Sequence, residues 1–306
     1  MTRAPWADRL LEDGVAIFLF HGVLSRPRPG VRNYTGKHLV LDEFVRVIEE
    51  LLASGSPISM PRLAAARKGD RLPPRAFAIT FDDGFENNRM VAAPVLAAHG
   101  VPATFYVTTG FIESNGASWI DRIEYAVGRV PGAHLSLPSS GIEGAFAGDV
   151  EKKDLLDRIR RAVKADRSID PYAFADEVWR QLRVEEMAPD PELDRKMDWA
   201  GVRELAANPL FTIGGHGHTH RILEFLPDEE LERELDASFR LLTSNLGRPP
   251  EHYSYPEGLA HCYSDRVIAA LARRGVVSCP TAEDGTNRPG DDPFRLKRIA
   301  VLPRGA

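Results

Sequence analysis

AFAITFDDG, residues 76–84, is the stretch from which the fold can be read most directly. Its first part, AFAITF (76–81), is a short apolar run with a β-branched pair, which is typical of a strand buried inside a sheet. Two adjacent carboxylates, Asp82 and Asp83, follow at the carboxyl end of that strand, and Gly84 marks a sharp turn. The stretch therefore predicts a buried strand that delivers two acidic side chains to one edge of a sheet.

Further buried strands alternate with helical patterns along the chain. The predicted strands are VAIFLF (15–20), ATFYV (103–107), FTIGG (211–215) and VVSC (276–279). Apolar residues at helical spacing predict helices over 42–53 and 264–274, each followed by a glycine that would end it. Alternating strands and helices imply right-handed crossovers and a mainly parallel sheet, either a barrel or an open doubly wound sheet. In both architectures the active site lies at the carboxyl ends of the strands.

The alternation breaks at about residues 116–198. A stretch rich in proline, glycine and serine, PGAHLSLPSSGIEGAFAG (131–148), predicts a loop, and charged helical patterns follow over 150–164 and 171–184. We interpret this part as a helical insertion or lid within a single catalytic domain that spans residues 1–306. Single barrels commonly run to about 250 residues, so the length leaves room for such an insertion.

The composition excludes several classes of protein. Apolar residues make up 43% and charged residues 27%, as in ordinary globular proteins rather than disordered or fibrous ones. A net charge of -5 without a long basic block argues against a nucleic-acid partner. No segment has the apolar length of a signal peptide or a membrane span, which predicts a cytoplasmic protein with Cys262 and Cys279 as free thiols. The oligomeric state is left open.

A cluster of histidines indicates that the paired aspartates have a chemical role. A bare Asp-Asp-Gly is equally consistent with a carboxylate that merely caps the following helix. However, IGGHGHTHRIL (213–223) places three histidines within five residues, directly after another predicted strand. His216 and His220 would share a face if the segment turns helically, whereas His218 should point elsewhere. Two imidazoles and one carboxylate form a metal site with open positions that can activate water.

These motifs resemble a known family. TFDDG (80–84) with a His-x-x-x-His segment is similar to the NodB-homology polysaccharide deacetylases, carbohydrate esterase family 4, over most of the chain outside the insertion. HYSYPEG (252–258) is similar to the YPFG-type variant of that family. Three further stretches resemble parts of the same subgroup: LFHGV (19–23) its opening strand end, WAGVRELA (199–206) the helix before its histidine segment, and DPFRLKRI (292–299) its closing strand. The resemblance implies an α/β fold, a distorted, seven-stranded, TIM-like (β/α) barrel of the NodB type.

The resemblance also implies roles for individual residues. Asp82 would be the catalytic base, and the metal ligands would be Asp83, His216 and His220. The metal would be divalent; zinc suits these ligands best, and cobalt, nickel, manganese or iron would also fit. The backbone amide of Glu257 would help to hold the oxyanion, with Tyr255 lining the pocket.

The chain departs from the family at three points. Gly217 replaces a serine or threonine whose hydroxyl normally holds the metal-binding segment, so we expect that segment to be looser. Ser254 stands where better-studied members have an arginine, and Arg298 is our candidate partner for Asp82, with a surface arginine as the alternative. The family's acid histidine segment has no match, so His21, at the first strand's end, is the candidate general acid or a supporting group, with a structural role as the alternative. His38, His252 and His261 are further candidates.

Together these features predict a metal-dependent hydrolase that removes an N-acetyl group from an amino sugar or glycan precursor. The absence of an export signal favours an intracellular substrate such as a sugar nucleotide, a lipid-linked glycan precursor or a secondary metabolite. One alternative is a deformylase or another amide hydrolase that acts on a non-sugar substrate. The other is a catalytically impaired homologue that only binds its ligand.

Overall fold

A computed structural model of the chain describes residues 6–28, 30–66 and 68–303. Among these residues the chain divides into two compact units. The first comprises Met1–Arg26, Lys37–Gly116 and Arg195–Ala306, and the second Pro27–Gly36 and Ala117–Asp194. No sequence signal indicated that the short Pro27–Gly36 segment belongs with the second unit. The single catalytic domain with an insertion at about 116–198 stays a prediction.

The strands of the first unit include four of the five predicted ones, those at 15–20, 76–81, 103–107 and 211–215. In chain order they are β1 (Val15–Phe20), β2 (Gly22–Leu24), β3 (His38–Val40), β4 (Ser56–Pro57), β5 (Ala76–Phe81), β6 (Ala103–Val107), β9 (Phe211–Gly215) and β10 (Ile299–Ala300), with β7 (Gly132–Leu137) and β8 (Ile142–Ala147) in the second unit. The central sheet has the order β10-β1-β5-β6-β9, with β4 added beside β5, and all of its pairs are parallel. The α/β fold with a parallel central sheet is therefore confirmed.

Helices connect these strands. In chain order they are α1 (Leu41–Ser54), α2 (Met60–Ala65), a π-helix (Asn88–Ala92), α3 (Ala93–Ala98), α4 (Thr109–Ser114), α5 (Trp119–Arg129), α6 (Gly148–Ala165), α7 (Pro171–Leu182), α8 (Trp199–Ala207), α9 (Asp228–Leu246) and α10 (Asp265–Ala272). Short 3-10 turns lie at Ala7–Arg9, Pro138–Ser140 and Leu223–Phe225. The helices predicted over 42–53 and 264–274 correspond to α1 and α10. None of the helices in the described ranges combines the length and apolar character needed to cross a membrane.

The strand register brings the functional segments to one edge of the sheet. Phe20 of β1 is the register partner of Phe81 of β5, so both strands end at the same level. Val107 of β6 and Gly215 of β9 are partners at their ends in the same way. Because all four strands are parallel, the residues that follow them meet at the carboxyl edge of the sheet.

Successive side chains at the end of β5 point alternately to the helix-covered core and to the face that carries Arg298. Phe81 stacks on Phe20 at 5.3 Å between ring centroids and contacts Phe44 of α1 at 6.0 Å, so its side chain faces the helices. Successive side chains of a strand point to opposite faces. Thr80 and Asp82 therefore point away from α1, and both contact Arg298 on that other face.

The regular sheet is open between β9 and β10, and irregular pairings occupy the gap. Within the described part of the chain, the predicted strand 276–279 contributes only a single bridge, between Ser278 and His252. The predicted closing strand, 292–299, is wrong over most of its length, because Asp292 accepts from the amides of Phe294 and Arg295 and turns the chain there. Only Ile299–Ala300 pairs with β1 as a ladder.

The second unit contains α5 to α7 and an antiparallel hairpin of β7 and β8. The loop predicted over 131–148 is wrong, because this stretch forms the hairpin, with its turn at Pro138–Ser140. Its glycines and serines masked an apolar pattern, since Leu135, Leu137 and Ile142 are buried in the unit's own core. A role as a lid stays a prediction.

Candidate metal centre

Asp82 and Asp83 lie directly after β5, as the sequence predicts. The amide of Asp82 donates to the carbonyl of Phe20 at 3.1 Å, which continues the strand pairing by one residue. The chain then turns through two left-handed residues, Asp83 at φ 73° and Gly84 at φ 81°. Glycine adopts that conformation freely, whereas an aspartate there is strained, a condition that is common at functional sites. Both carboxylates are buried, with exposures of 3% and 4%.

The segment His216–His220, here called the metal loop, follows β9 and lies beside residues 107–110. The amide of His216 donates to the carbonyl of Val107 at 3.0 Å, and the amides of Thr109 and Gly110 donate to the carbonyls of Gly217 and His218 at 3.1 and 2.9 Å. The β6–β9 pairing is thus extended past the ends of both strands. This extension places the metal loop at the same edge as Asp82 and Asp83.

The two predicted ligand histidines do converge, but not on a helix. The sequence predicts that they share a face if the segment turns helically, but no helical turn forms between His216 and His220. Left-handed residues at Gly217, φ 76°, and His220, φ 59°, fold the loop back instead. The two imidazole rings lie 5.0 Å apart between centroids, and His220 also stacks on Phe111 at 5.8 Å.

One carbonyl fixes the tautomer of His216. Its Nδ1 lies 2.9 Å from the carbonyl oxygen of Ser254, which can only accept, so Nδ1 carries the hydrogen. The lone pair of Nε2 is then directed at the aspartates, 3.5 Å from Asp83 Oδ1 and 3.9 Å from Asp82 Oδ2. A ring nitrogen held in this way is ready to ligate a metal.

Asp83, His216 and His220 fit a divalent metal ion. Their ligand atoms all lie within 4.8 Å of one another, and all three side chains are buried. His220 Nε2 is 3.1 Å from Asp83 Oδ1, and that oxygen has no hydrogen bond of good geometry among the described residues. A buried carboxylate oxygen left without a hydrogen bond costs free energy unless a cation completes its surroundings. One oxygen and two nitrogen ligands suit zinc and its neighbours in the first transition series.

The charges of the three groups support one another. Burial raises the pKa of Asp83, but the nearby charges of His220 and His21 hold it well below its usual value. Burial lowers the pKa of His220, but the nearby charge of Asp83 raises it above its usual value. The pKa of His216 is lowered, because burial outweighs the charges of Asp82 and Asp83. His216 is therefore neutral near pH 7, as a ligand must be.

Arg298 pairs with Asp82 from across the sheet. Its two terminal nitrogens lie 2.9 Å from Oδ1 and 2.8 Å from Oδ2 of the carboxylate. Arg298 is 1% exposed, so the alternative of a surface arginine is excluded. Its Nε donates to the carbonyl of Thr281 at 2.5 Å and one terminal nitrogen to Ser254 Oγ at 2.9 Å. Burial raises the pKa of Asp82, but the charges of Arg298 and His216 lower it below its usual value, which keeps the carboxylate ionised.

His21 directly follows β1 and lies beside Asp82, which directly follows β5. Burial lowers the pKa of His21 to about 4, although the charges of Asp83 and Asp82 raise it. The imidazole is therefore neutral near pH 7 and can accept a proton more readily than it can donate one.

Tyr255 and Glu257 lie on the segment that follows the His216 contact at Ser254. Tyr255 is fully buried; its hydroxyl donates to the carbonyl of Phe294 at 3.1 Å, and its ring stacks on Tyr263 at 4.6 Å. Glu257 has φ 63°, and the amide of Gly258 donates to the carbonyl of Pro256 at 2.8 Å. This is a classic γ-turn, which is rare and strained. The strain lies where the sequence predicts the oxyanion donor.

The other histidines named from the sequence are not part of the Asp83, His216 and His220 ligand group among the described residues, and each has another partner. His218 bonds through Nδ1 to Thr109 Oγ1 at 3.0 Å, and His252 bonds through Nδ1 to Ser278 Oγ at 2.7 Å. His38 bonds to Asn87 at 2.9 Å, and His261 stacks on Phe225 at 6.0 Å. The roles of the Ser254 and Thr281 carbonyl groups could not be predicted, because backbone acceptors leave no residue-type signal in a sequence.

Solved structures share this fold. IcaB from Ammonifex degensii is 18% identical, with 96% of this chain and 94% of that chain covered at a TM-score of 0.62. The deacetylase PplD from Streptococcus pyogenes is 15% identical, with 95% and 93% covered at 0.60. A de-N-acetylase from Aggregatibacter actinomycetemcomitans is 14% identical, with 96% and 97% covered at 0.60. At such identities the likeness establishes the fold, which is the NodB-type (β/α) fold expected from the sequence.

Sequence comparison gives the family. A comparison with curated proteins found no match. The family model described as polysaccharide deacetylase matches residues 69–278, which is more than half of the chain and includes the paired aspartates, the metal loop and the Tyr-Pro-Glu-Gly segment. The chain belongs to the polysaccharide deacetylase family.

Proposed function

We propose that this chain is a metal-dependent N-deacetylase that hydrolyses the N-acetyl group of an amino sugar or glycan precursor. The observation that carries the proposal is the cluster of Asp83, His216 and His220 beside an ionised Asp82 that is paired with Arg298. Membership of the polysaccharide deacetylase family and the names of the similar structures, a deacetylase and a de-N-acetylase, support the same reaction.

Asp83, His216 and His220 would hold the metal. A bound divalent ion supplies a Lewis acid that polarises the amide carbonyl and lowers the pKa of water. Zinc is the first choice, and cobalt, nickel, manganese and iron fit the same ligands. Asp83 brings the only negative charge of the three, and the hydrogen bond from His216 to Ser254 presents Nε2 in the ligating form.

Asp82 would act as the general base. It takes a proton from the attacking water while the oxygen of that water bonds to the acetyl carbon. The C–N bond then breaks, and the products are acetate and the free amine. The bidentate pair with Arg298 keeps Asp82 ionised and fixes the plane of its carboxylate. Its Oδ2 lies 3.9 Å from His216 Nε2, so the base stands directly beside a metal ligand.

His21 is the candidate donor to the leaving amine. Because its pKa is lowered to about 4, the imidazole must first receive a proton, and the proton that Asp82 removes from water is the nearest source. The positions of the two residues after paired strands favour such a transfer. The strained turn at Glu257 would present its amide to the oxyanion, and Tyr255 would form part of the wall behind it.

The test is acetate release from a panel of N-acetylated sugars, combined with metal analysis of the same preparation. We expect acetate and an equivalent of free amine, with about one divalent ion per chain. Release of formate from N-formyl substrates in place of acetate would favour a deformylase. Bound sugar without any product would instead indicate an impaired binding homologue.

A further inference from the structure

The metal loop is held from two sides by different kinds of partner. On one side, the carbonyl group of Val107 accepts a hydrogen bond from the first amide of the loop, and the amides of Thr109 and Gly110 donate to carbonyl groups of the loop. On the other side, the amides of the next three residues all donate hydrogen bonds to side chains. Gly217 donates to the hydroxyl of Tyr253 at 2.8 Å, and His218 and Thr219 both donate to Oε1 of Glu234, at 2.6 and 2.7 Å.

Glu234 makes a third contact with the same loop. Its Oε2 accepts from the hydroxyl of Thr219 at 2.8 Å, so both carboxylate oxygens are engaged. Glu234 lies on α9 between Leu231 and Leu235 and is only 7% exposed. Among the described residues no lysine, arginine or histidine side chain forms an ion pair with it. Backbone amides and one hydroxyl are its partners, and a buried carboxylate is costly unless such hydrogen bonds satisfy it.

Gly217 leaves room for this carboxylate. A Cβ atom built on Gly217 would lie 3.1 Å from Glu234 Oε1 and 3.3 Å from Pro256 Cγ. Its φ of 76° also disfavours any other residue. The loss of the family hydroxyl at this position, which we expected to loosen the loop, therefore coincides with a different anchor from α9.

The anchored peptides lie between the two left-handed residues of the loop. The positive φ angles are those of Gly217 and His220. Between these two residues lie His218 and Thr219, whose amides donate to Glu234. Left-handed backbone at a histidine persists only where its surroundings enforce it. The direction of the His220 ring depends on that conformation.

We infer that Glu234 is a positioning residue for the metal site. It acts through the backbone of the metal loop, which it holds in the shape that points His216 and His220 at Asp83. The inference rests on the proposed function, because it assigns a role towards the metal that these three residues would bind. Glu234 itself touches neither a ligand side chain nor the reacting atoms.

The experiment measures zinc affinity of the full chain by competition with a chromophoric chelator, after the metal has been stripped. Glu234→Gln keeps the size of the side chain but removes its charge and one acceptor. We expect zinc to bind about 10- to 100-fold more weakly, the range typical for residues that orient metal ligands. In the metal-free protein, the amides of His218 and Thr219 should exchange their hydrogens faster in this variant.

Two control variants on α9 separate positioning from general damage. Glu229→Gln makes the same chemical change at a side chain that is 90% exposed, and it should leave zinc affinity and both amides unchanged. Leu242→Ala opens a cavity in the core and lowers the thermal midpoint without touching the loop. At a temperature where it is fully folded, its zinc affinity should match the parent within about twofold.

The possible outcomes distinguish failure of the positioning role from failure of the proposed function. Parent-like zinc affinity in Glu234→Gln overturns the positioning role and leaves the proposed function intact. Equal weakening in Leu242→Ala would show that loss of stability alone weakens zinc, and it also overturns the role. A parent that binds no zinc, cobalt or nickel overturns the proposed function together with this inference.

Discussion

Arg298 holds Asp82 by two parallel hydrogen bonds, of 2.9 and 2.8 Å, and both side chains are buried. The two residues are 216 positions apart in the chain. A carboxylate buried alone would be protonated near neutral pH or would destabilise the fold. The arginine thus serves both the stability of the protein and the ionised state of the proposed base.

Replacing Arg298 by lysine should separate charge from geometry. A lysine keeps the positive charge but cannot make the planar two-point contact, so the pKa of Asp82 should rise. Because the base works only when unprotonated, the acid limb of the pH–rate profile should move to higher pH. We expect kcat/KM to fall by about 10²-fold at neutral pH with bound metal retained.

The control for this change is Arg295→Lys, on the same segment. Arg295 pairs with Asp265 and Asp292 and is more exposed, with 43% of its side chain accessible. Its replacement should leave the pH–rate profile unshifted. An unshifted acid limb in Arg298→Lys itself would show that Arg298 does not set the ionisation of the base.

The two adjacent aspartates should respond differently to the same substitution. Asp82→Asn removes the proposed base but none of the proposed metal ligands, so we expect full metal content with turnover lowered at least about 10³-fold. Asp83→Asn removes the only charged side chain among the proposed ligands, so we expect metal loss as well as loss of turnover. Metal analysis and acetate release on the same samples check both. Loss of metal in Asp82→Asn with retention in Asp83→Asn would show that the roles are exchanged.

The sequence predicted which side chains would lie close together better than the backbone geometry that brings them there. Four side chains lie close together because they follow the ends of strands, and the apolar runs that form these strands are evident in the sequence. They are Asp82, Asp83, His216 and His220. A helical turn, the condition under which the sequence places the two histidines on one face, does not form, since glycine at position 217 and the strained φ of His220 fold the loop differently. Residue spacing alone does not distinguish a helical turn from a loop held by tertiary contacts.

The anchor at Glu234 shows why such contacts escape sequence reasoning. The acidic residue lies among the apolar positions of α9, where Leu231 and Leu235 are buried. A charge on the apolar face of a helix is a usable signal that something polar is packed against it. The signal does not say which loop supplies the partners, because that depends on how α9 packs in the fold.

The hairpin of the second unit was missed for a different reason. Proline, glycine and serine are concentrated in residues 131–148, which indicated a loop. Buried residues alternate with exposed ones in β7, at Leu135 and Leu137, and a turn at Pro138–Ser140 separates them from β8. The composition of this stretch indicates a loop, but its period of two is the stronger sign of a half-buried strand.

His252 should make the stability of the fold depend on pH. Burial lowers the pKa of His252 to about 4, although the charge of Glu251 raises it. Its folded pKa is below the unfolded value, so its contribution to stability is present above about pH 6.5 and is lost as pH falls through about 4. The free energy of unfolding of the metal-free protein should fall by up to about 1.4 kcal/mol per pH unit in that window.

Urea denaturation between pH 4 and 7 measures this slope. The variant His252→Asn keeps a polar partner for Ser278 but cannot titrate, and its slope should be smaller by about one proton. His21 has a similarly lowered pKa and contributes to the same window, so some slope should remain. An identical slope in the parent and in His252→Asn would mean that His252 does not titrate between the folded and unfolded states.

His21 can be tested through the leaving group. If it protonates the departing amine, His21→Gln should lower turnover of an N-acetyl sugar about 10²-fold while metal content stays unchanged. An aryl acetate ester has a leaving group that departs without a proton, so the same variant should hydrolyse it at nearly the parental rate. The ratio of the two rates isolates proton donation, because a general loss of structure or of metal would lower both reactions equally. Near-normal turnover of the N-acetyl sugar by His21→Gln would remove His21 from the mechanism. Equal losses on both substrates would assign it to support of the site instead.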